Sequence, residues 1–209
     1  MNEQTATPRI GRPPAASLDD IVDAALAVGL PGLTMDAVAG HLGIGQATLY
    51  NYVASKHALI GATTARLMSD VAITEEPGAD LRSRLYDFGT RLYDLLQDVP
   101  GFAEALADHV GDAAMLEIEA RCYAALMVDG LDAPTAVLLG ADTFCFVLAY
   151  STLAFGANAQ DQTLPDVIAR ANATLDATNA RQRFEWTLAA HLDGIVAAID
   201  RGSRPWQPE

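Results

Sequence analysis

Two cysteines in 209 residues are too few for a disulfide framework. Cys122 and Cys145 both fall in apolar helical patterns, as expected of reduced, buried thiols in a cytoplasmic protein. Strand signals are equally thin, with no long alternating Val/Ile/Thr run bounded by turn residues. An all-α chain is therefore expected. Catalytic patterns are missing too: HExxH, CxxC, GxSxG and a glycine-rich phosphate loop do not occur. Glu117 and Glu119 lie two apart and so do not share a helical face as i, i+3 or i+4 neighbours. An enzyme is not expected, and no cofactor or metal centre is implied. Met1–Ala16 lacks the apolar segment of a secretory signal.

Positive charge is scarce. The chain holds 13 Lys and Arg against 27 Asp and Glu, a net charge of −14, which at first argues against a nucleic-acid partner. The charge is unevenly placed. Residues 1–66 carry Arg9, Arg12, Lys56 and Arg66 against Glu3, Asp19, Asp20, Asp23 and Asp36, leaving almost the whole excess of acid to residues 67–209. No Asp or Glu occurs from Ala37 to Ser69, although at the average acid content a run of that length would hold about four.

That acid-free run contains the most informative pattern, TMDAVAGHLGIGQATLYNYVASK, from Thr34 to Lys56. Thr34 suits a helix N-cap. Met35, Val38, Ala39 and Leu42 form one apolar face. Gly43 stands where a helix ends in a left-handed residue, and Ile44 is expected to plug the following turn. A second helix is expected over Gln46–Tyr52, with Leu49 and Tyr52 or Val53 turned inward and Gln46, Thr48, Tyr50 and Asn51 turned outward. A helix pair of this kind, with a polar and nearly uncharged second helix, is a helix-turn-helix that can enter a DNA major groove. An ordinary helical hairpin would share the packing but has no need of that outward face.

Leu33-Thr34, Leu42-Gly43-Ile44, Thr48-Leu49-Tyr50-x-Tyr52 and Lys56-His57-Ala58-Leu59 resemble the DNA-binding domain of the TetR family of transcriptional regulators. The Gln46–Tyr50 run followed by Val53 is similar to the tetracycline-repressor branch. The specific part of the resemblance covers residues 17–66. It implies a repressor released from a palindromic, double-stranded DNA operator by a small-molecule effector. On this reading Gln46 bonds a base edge, Ala47 and Thr48 meet a thymine methyl, and Tyr50 packs on a base or the backbone, with Asn51 on the same outward face. Thr34, Tyr52 and Lys56 fix register on phosphates. Arg9 and Arg12, in a Pro-rich arm over residues 1–16, either lie in the minor groove or are solvated.

Ser17 and Asp20 form a capping-box pattern ahead of a first helix, whose stripe is Leu18, Ile21, Val22, Ala25 and Val28. A fourth helix begins at Lys56, capped by Ser55, and connects to a second, helical domain over residues 67–209. Helices are expected there from Ala79 to Val99, Phe102 to Val110, Ala113 to Val128, Pro134 to Gly156 and Ala180 to Arg201, with a weak helix around Pro165–Leu175. The Pro134–Gly156 stretch is long enough to cross a membrane. Asp142 inside it and the lack of flanking basic residues favour a buried helix instead. With the last helix it is expected to form a homodimer interface across a two-fold axis.

The second domain also holds material for an effector pocket. Phe102, His109, Tyr123, Met127, Asp142, Phe146 and Trp186 are its candidate residues. His109 in LADHVGD is either a ligand or metal group, as the tetracycline-repressor resemblance implies, or a histidine partly exposed at a helix end. An all-helical small-molecule-binding protein that does not bind DNA is the alternative, and the acidic charge favours it.

Overall fold

The computed structural model describes residues 16–74, 79–128, 130–153 and 179–202. All regular structure among these residues is helical. The chain divides into two compact units, Met1–Thr63 and Thr64–Glu209.

The first unit opens with α1, Leu18–Val28. Its capping box is complete: Ser17 Oγ accepts from the Asp20 amide at 3.1 Å, and the Asp20 carboxylate accepts from the Ser17 amide at 2.8 Å. The Ser17 hydroxyl, which donates to Asp20 Oδ2 at 2.7 Å, and after it the Ser17 amide hold the Asp20 carboxyl below its ordinary range. Ile21, Val22, Ala24 and Ala25 are buried, but Leu18 is 52% exposed. The expected stripe thus lacks its first member, which lies in the opening turn beside the exposed cap. A single turn of 3₁₀ helix, Leu30–Gly32, leads to α2, Met35–Leu42. Thr34 caps α2, its Oγ accepting from the Ala37 amide at 3.1 Å. Gly43 closes it at φ 67°, a left-handed conformation that glycine adopts without a Cβ penalty. The Ile44 amide then donates back to the Ala39 carbonyl at 3.0 Å, so the turn satisfies the last carbonyls of the helix. Next come α3, Gln46–Leu49, and α4, Lys56–Val71. The latter runs without a break across the boundary between the units.

The second unit contains α5 (Leu81–Asp98), α6 (Phe102–His109), α7 (Ala113–Met127), α8 (Ala133–Leu153) and α9 (Ala180–Asp200). Helix α5 packs against α8 and α9, and α7 packs against α8. Leu85, Leu92, Phe102, Leu106, Leu126, Leu139, Phe184 and Leu188 are the largest fully buried side chains of this core. Each contributes about 2–3 kcal/mol of transfer free energy. Tyr93 stacks on Phe184 at 4.0 Å between centroids, joining α5 to α9. Gly89 lets α9 approach: a Cβ there would lie 2.8 Å from Leu188 Cδ2. Asp80 caps α5 by accepting from the Ser83 amide at 2.7 Å, and that bond lowers its carboxyl pKa.

Among the described residues one helix, α8, is long and apolar enough to cross a membrane by length and composition alone. It packs against α5, α7 and α9, and its Asp142 accepts from His191 Nε2 of α9 at 2.7 Å. The first residue of α8, Ala133, follows Asp132, whose side chain accepts from the Thr135 amide at 2.8 Å as a cap. The segment around Pro165–Leu175, expected as a weak helix, lies outside the described residues.

Candidate functional sites

Two side chains anchor the end of the helix-turn-helix. Leu49 is fully buried and Val53 nearly so. Between them, Tyr52 is half-buried. Of the two inward arrangements left open by the sequence, Val53 takes the core position. The α-helical part is shorter than the expected Gln46–Tyr52 helix, ending at Leu49. Beyond it the amides of Asn51 and Tyr52 donate to the carbonyls of Thr48 and Leu49 at 3.1 and 3.0 Å. These are three-residue steps, so the helix tightens into its last turn before reversing into α4.

The outward face is as expected in identity. Gln46, Ala47 and Asn51 are exposed, Tyr50 is 47% exposed, and Thr48 is half-buried. Thr34 is exposed at the start of α2. Its oxygen is engaged in the cap, while a hydroxyl proton can still be donated to an oxygen outside. Ser55 Oγ caps α4 by accepting from the Ala58 amide at 3.1 Å. Lys56, the one lysine in the sequence, is exposed as the first residue of α4. A cation there opposes the helix dipole, and the two together attract an anion. Arg9 and Arg12 lie outside the described residues.

The second unit contains a cavity of about 230 Å³. Met68 of α4, Ile73, Phe88 of α5, Met115 of α7 and Phe144 of α8 give it an apolar wall. Glu119, Cys122 and Tyr123 of α7 and Cys145 of α8 supply its polar atoms. Burial, then the nearby Glu119 carboxylate, to which the hydroxyl also donates, raises the Tyr123 pKa. Burial also raises the Cys122 thiol, which accepts from the Ile73 amide at 3.3 Å. Cys122 is buried as expected, but Cys145 is exposed.

Of the seven side chains expected to bind an effector, Tyr123 lines this cavity and the other six do not. Phe102 is wholly buried in the core of α6. His109 is buried, not partly exposed, and Nδ1 lies 2.7 Å from Asp112 Oδ2 at the end of α6. Met127 is exposed, because it falls in the last turn of α7 and on its outer side. Asp142 bonds His191, and Phe146 stacks on that imidazole at 4.2 Å, so both belong to the α8–α9 contact. Trp186 projects outward, 75% exposed. Glu119 was the residue the sequence could have pointed to, as the lone acid on the apolar side of α7. Phe88 carried no comparable mark.

No protein-family model matches the chain, and no curated protein matches it. Solved structures do. Apo ActR from Streptomyces coelicolor is 23% identical, with a TM-score of 0.64 over 90% of this chain and 98% of that one. ActR in complex with actinorhodin is 24% identical, with a TM-score of 0.64 over 88% and 96%. TetR from Acinetobacter baumannii AYE is 19% identical, with a TM-score of 0.62 over 90% and 99%. The similarity spans the length of both chains in each case and establishes the architecture: this chain has the fold of the TetR-family proteins, a helix-turn-helix unit followed by a helical unit.

Proposed function

We propose that this protein is a ligand-responsive, DNA-binding transcriptional regulator, a repressor that a small molecule releases from a palindromic operator. The observation that carries the reading is the outward face of the helix-turn-helix. It is polar, nearly uncharged and free of acid in a chain of charge −14, and its turn is pinned by Leu49 and Val53. Gln46, Ala47, Thr48, Tyr50 and Asn51 read bases, while Thr34, Tyr52 and Lys56 hold phosphates.

So little positive charge makes a single copy a weak binder. Two copies are needed, paired through residues 134–156 and 180–201 and reading half-sites about 34–36 Å apart. Exposed apolar side chains on those helices, Val137 and Leu138 on α8 and Trp186 on α9, support this pairing. The effector binds in the cavity of the second unit. Met68 in its wall belongs to α4, the same continuous helix that begins at Lys56. A ligand that favours one position of α4 therefore alters the spacing of the two DNA-reading heads. The structure of ActR with actinorhodin supplies a precedent for a bound small molecule in this fold. The protein works where the DNA is, in the cytoplasm.

A mobility-shift titration of the purified dimer against DNA upstream of its own gene tests the reading. A shift that is lost in the double variant Y50A/K56A supports it. No shift at low salt counts instead for the second reading, a helical small-molecule-binding protein, which the acidic charge favours.

A further inference from the structure

The chemistry of the cavity selects its ligand by charge. Among the described residues its lining contains one carboxylate, that of Glu119, and no lysine, arginine or histidine. Glu119 is half-buried, and among the described residues no cation is paired with it. The two guanidiniums whose charge is felt at Cys122 are engaged elsewhere. Arg121 donates to Ser69 Oγ at 3.2 Å, and Arg91 holds Asp87 at 2.7 Å and the Asp70 carbonyl at 3.2 Å. An anion placed in the cavity would therefore face a carboxylate across an apolar wall with no cationic side chain among the described lining residues, a costly arrangement.

A cation meets the opposite situation. Three aromatic rings, those of Phe88, Tyr123 and Phe144, line the same cavity as the carboxylate. Aromatic faces attract a desolvated cation by their quadrupole, and more strongly inside a protein than at its surface. Apart from the Cys122 and Cys145 thiols, the rest of the wall is aliphatic or thioether, which suits the body of the ligand rather than its head. The volume of about 230 Å³ lies below the roughly 300–1,000 Å³ of pockets that take drug-sized molecules, so the ligand is compact. Gly140 helps set that volume. A Cβ there would lie 2.7 Å from Tyr123 Cε1, so only glycine allows the ring to rest against α8.

We propose that the cavity binds a compact lipophilic cation, an ammonium or amidinium on an aromatic or branched-alkyl body, with Glu119 as its counter-ion. The proposal rests on the reading of this unit as the effector-binding part of a regulator, and it names the ligand class.

Calorimetric titration of the full-length protein with three molecules of one shape tests it: para-tert-butylbenzylamine, the corresponding alcohol and the corresponding benzoate. The amine is expected to bind at least about tenfold more tightly than the alcohol, and the benzoate most weakly. E119Q should remove the advantage of the amine and leave the alcohol unchanged, while E119D, which keeps the charge, should retain it. G140A should weaken amine and alcohol alike by driving the Tyr123 ring into the cavity. Equal binding of amine and alcohol, tightest binding of the benzoate, no binding of the amine, or an E119Q variant that loses both ligands equally would each overturn the proposal. The regulatory reading is decided separately, by mobility shift. An amine that binds with the Glu119 dependence but leaves the DNA complex intact supports the cation site while counting against ligand-controlled release.

Discussion

On our proposals, the outward face of α3 and the cavity between α5, α7 and α8 are opposite solutions to recognition. The first is a convex, polar surface made by residues that are neighbours in sequence, from Thr34 to Lys56. Acid is kept away from it over the whole run from Ala37 to Ser69. The second is concave and mostly apolar, and it gathers Met68, Phe88, Glu119 and Phe144 from four different helices. Among the described residues that line it, a single acid stands and basic residues are absent. On our proposals, the contrast shows how one strongly acidic chain can address a polyanion with its first unit and a cation with its second. Net charge describes neither site; local placement describes both.

The sharpest way to break this comparison is to destroy one region and ask whether the other survives. Leu49→Ala removes the buried anchor of the motif and is expected to cost about 2–5 kcal/mol of stability in the first unit. Denaturant titration should show an early transition that removes DNA binding, while ligand binding by the second unit persists. A single shared transition in which both activities vanish together would show that the two regions are not separable. Trp186→Glu tests whether the DNA face depends on pairing. Because the side chain is 75% exposed, the fold should be retained. Sedimentation velocity should then show a loss of dimer at micromolar concentration, with operator affinity falling at least about a hundredfold.

Lys56→Ala is expected to weaken DNA binding by about tenfold. It should lower the salt dependence by about one unit per site, uniformly across sequences. Tyr50→Ala should instead change which operator variants are preferred, and binding measured against a panel of such variants separates the two. Thr34→Ala removes the cap of α2 and is expected to cost about 1 kcal/mol, read as a small fall in the melting temperature of the first unit.

The smallest effect is one that the two regions share. Asp20 and Asp80 cap helices in different units, and backbone and side-chain hydrogen bonds lower both carboxyl pKa values. A depressed native pKa stabilises the fold above the unfolded value, about 3.9, and that contribution fades as pH falls through the native value. Stability should therefore be flat near neutrality and decline below about pH 4 in both units. D20N and D80N should reduce that acid-side loss, as measured by thermal melts across the pH range.

Much of the first region could be read from the sequence because its geometry is local. The Ser17 and Thr34 caps, the left-handed Gly43 and the inward Leu49 each depend on residues within a few positions. The cavity could not be read in that way. Helical periodicity says which side chains share a face; it does not say whether another helix covers that face. Leu116 and Met127 belong to the apolar pattern of α7 yet are exposed, while Phe102 and His109, expected at a pocket, are enclosed in the core. Asp142, the one charge in an apolar helix, was also expected at the effector pocket, and the structure gives it to His191 instead.

The sequence by itself determined the helical class, the order and ends of most helices, and the acid-free polar face from Gln46 to Asn51. Turn residues, caps and periodicity act over a few residues, and the side chains that decide them are adjacent in the chain. Tertiary structure alone decided that Val53 rather than Tyr52 is buried beside Leu49, and that Glu119 and Tyr123 meet Phe88 and Phe144 around a cavity. Those outcomes depend on which helices pack together and how closely, as Gly140 against Tyr123 illustrates. Close packing between distant segments is a property of the assembled core, to which no single stretch of sequence holds the key.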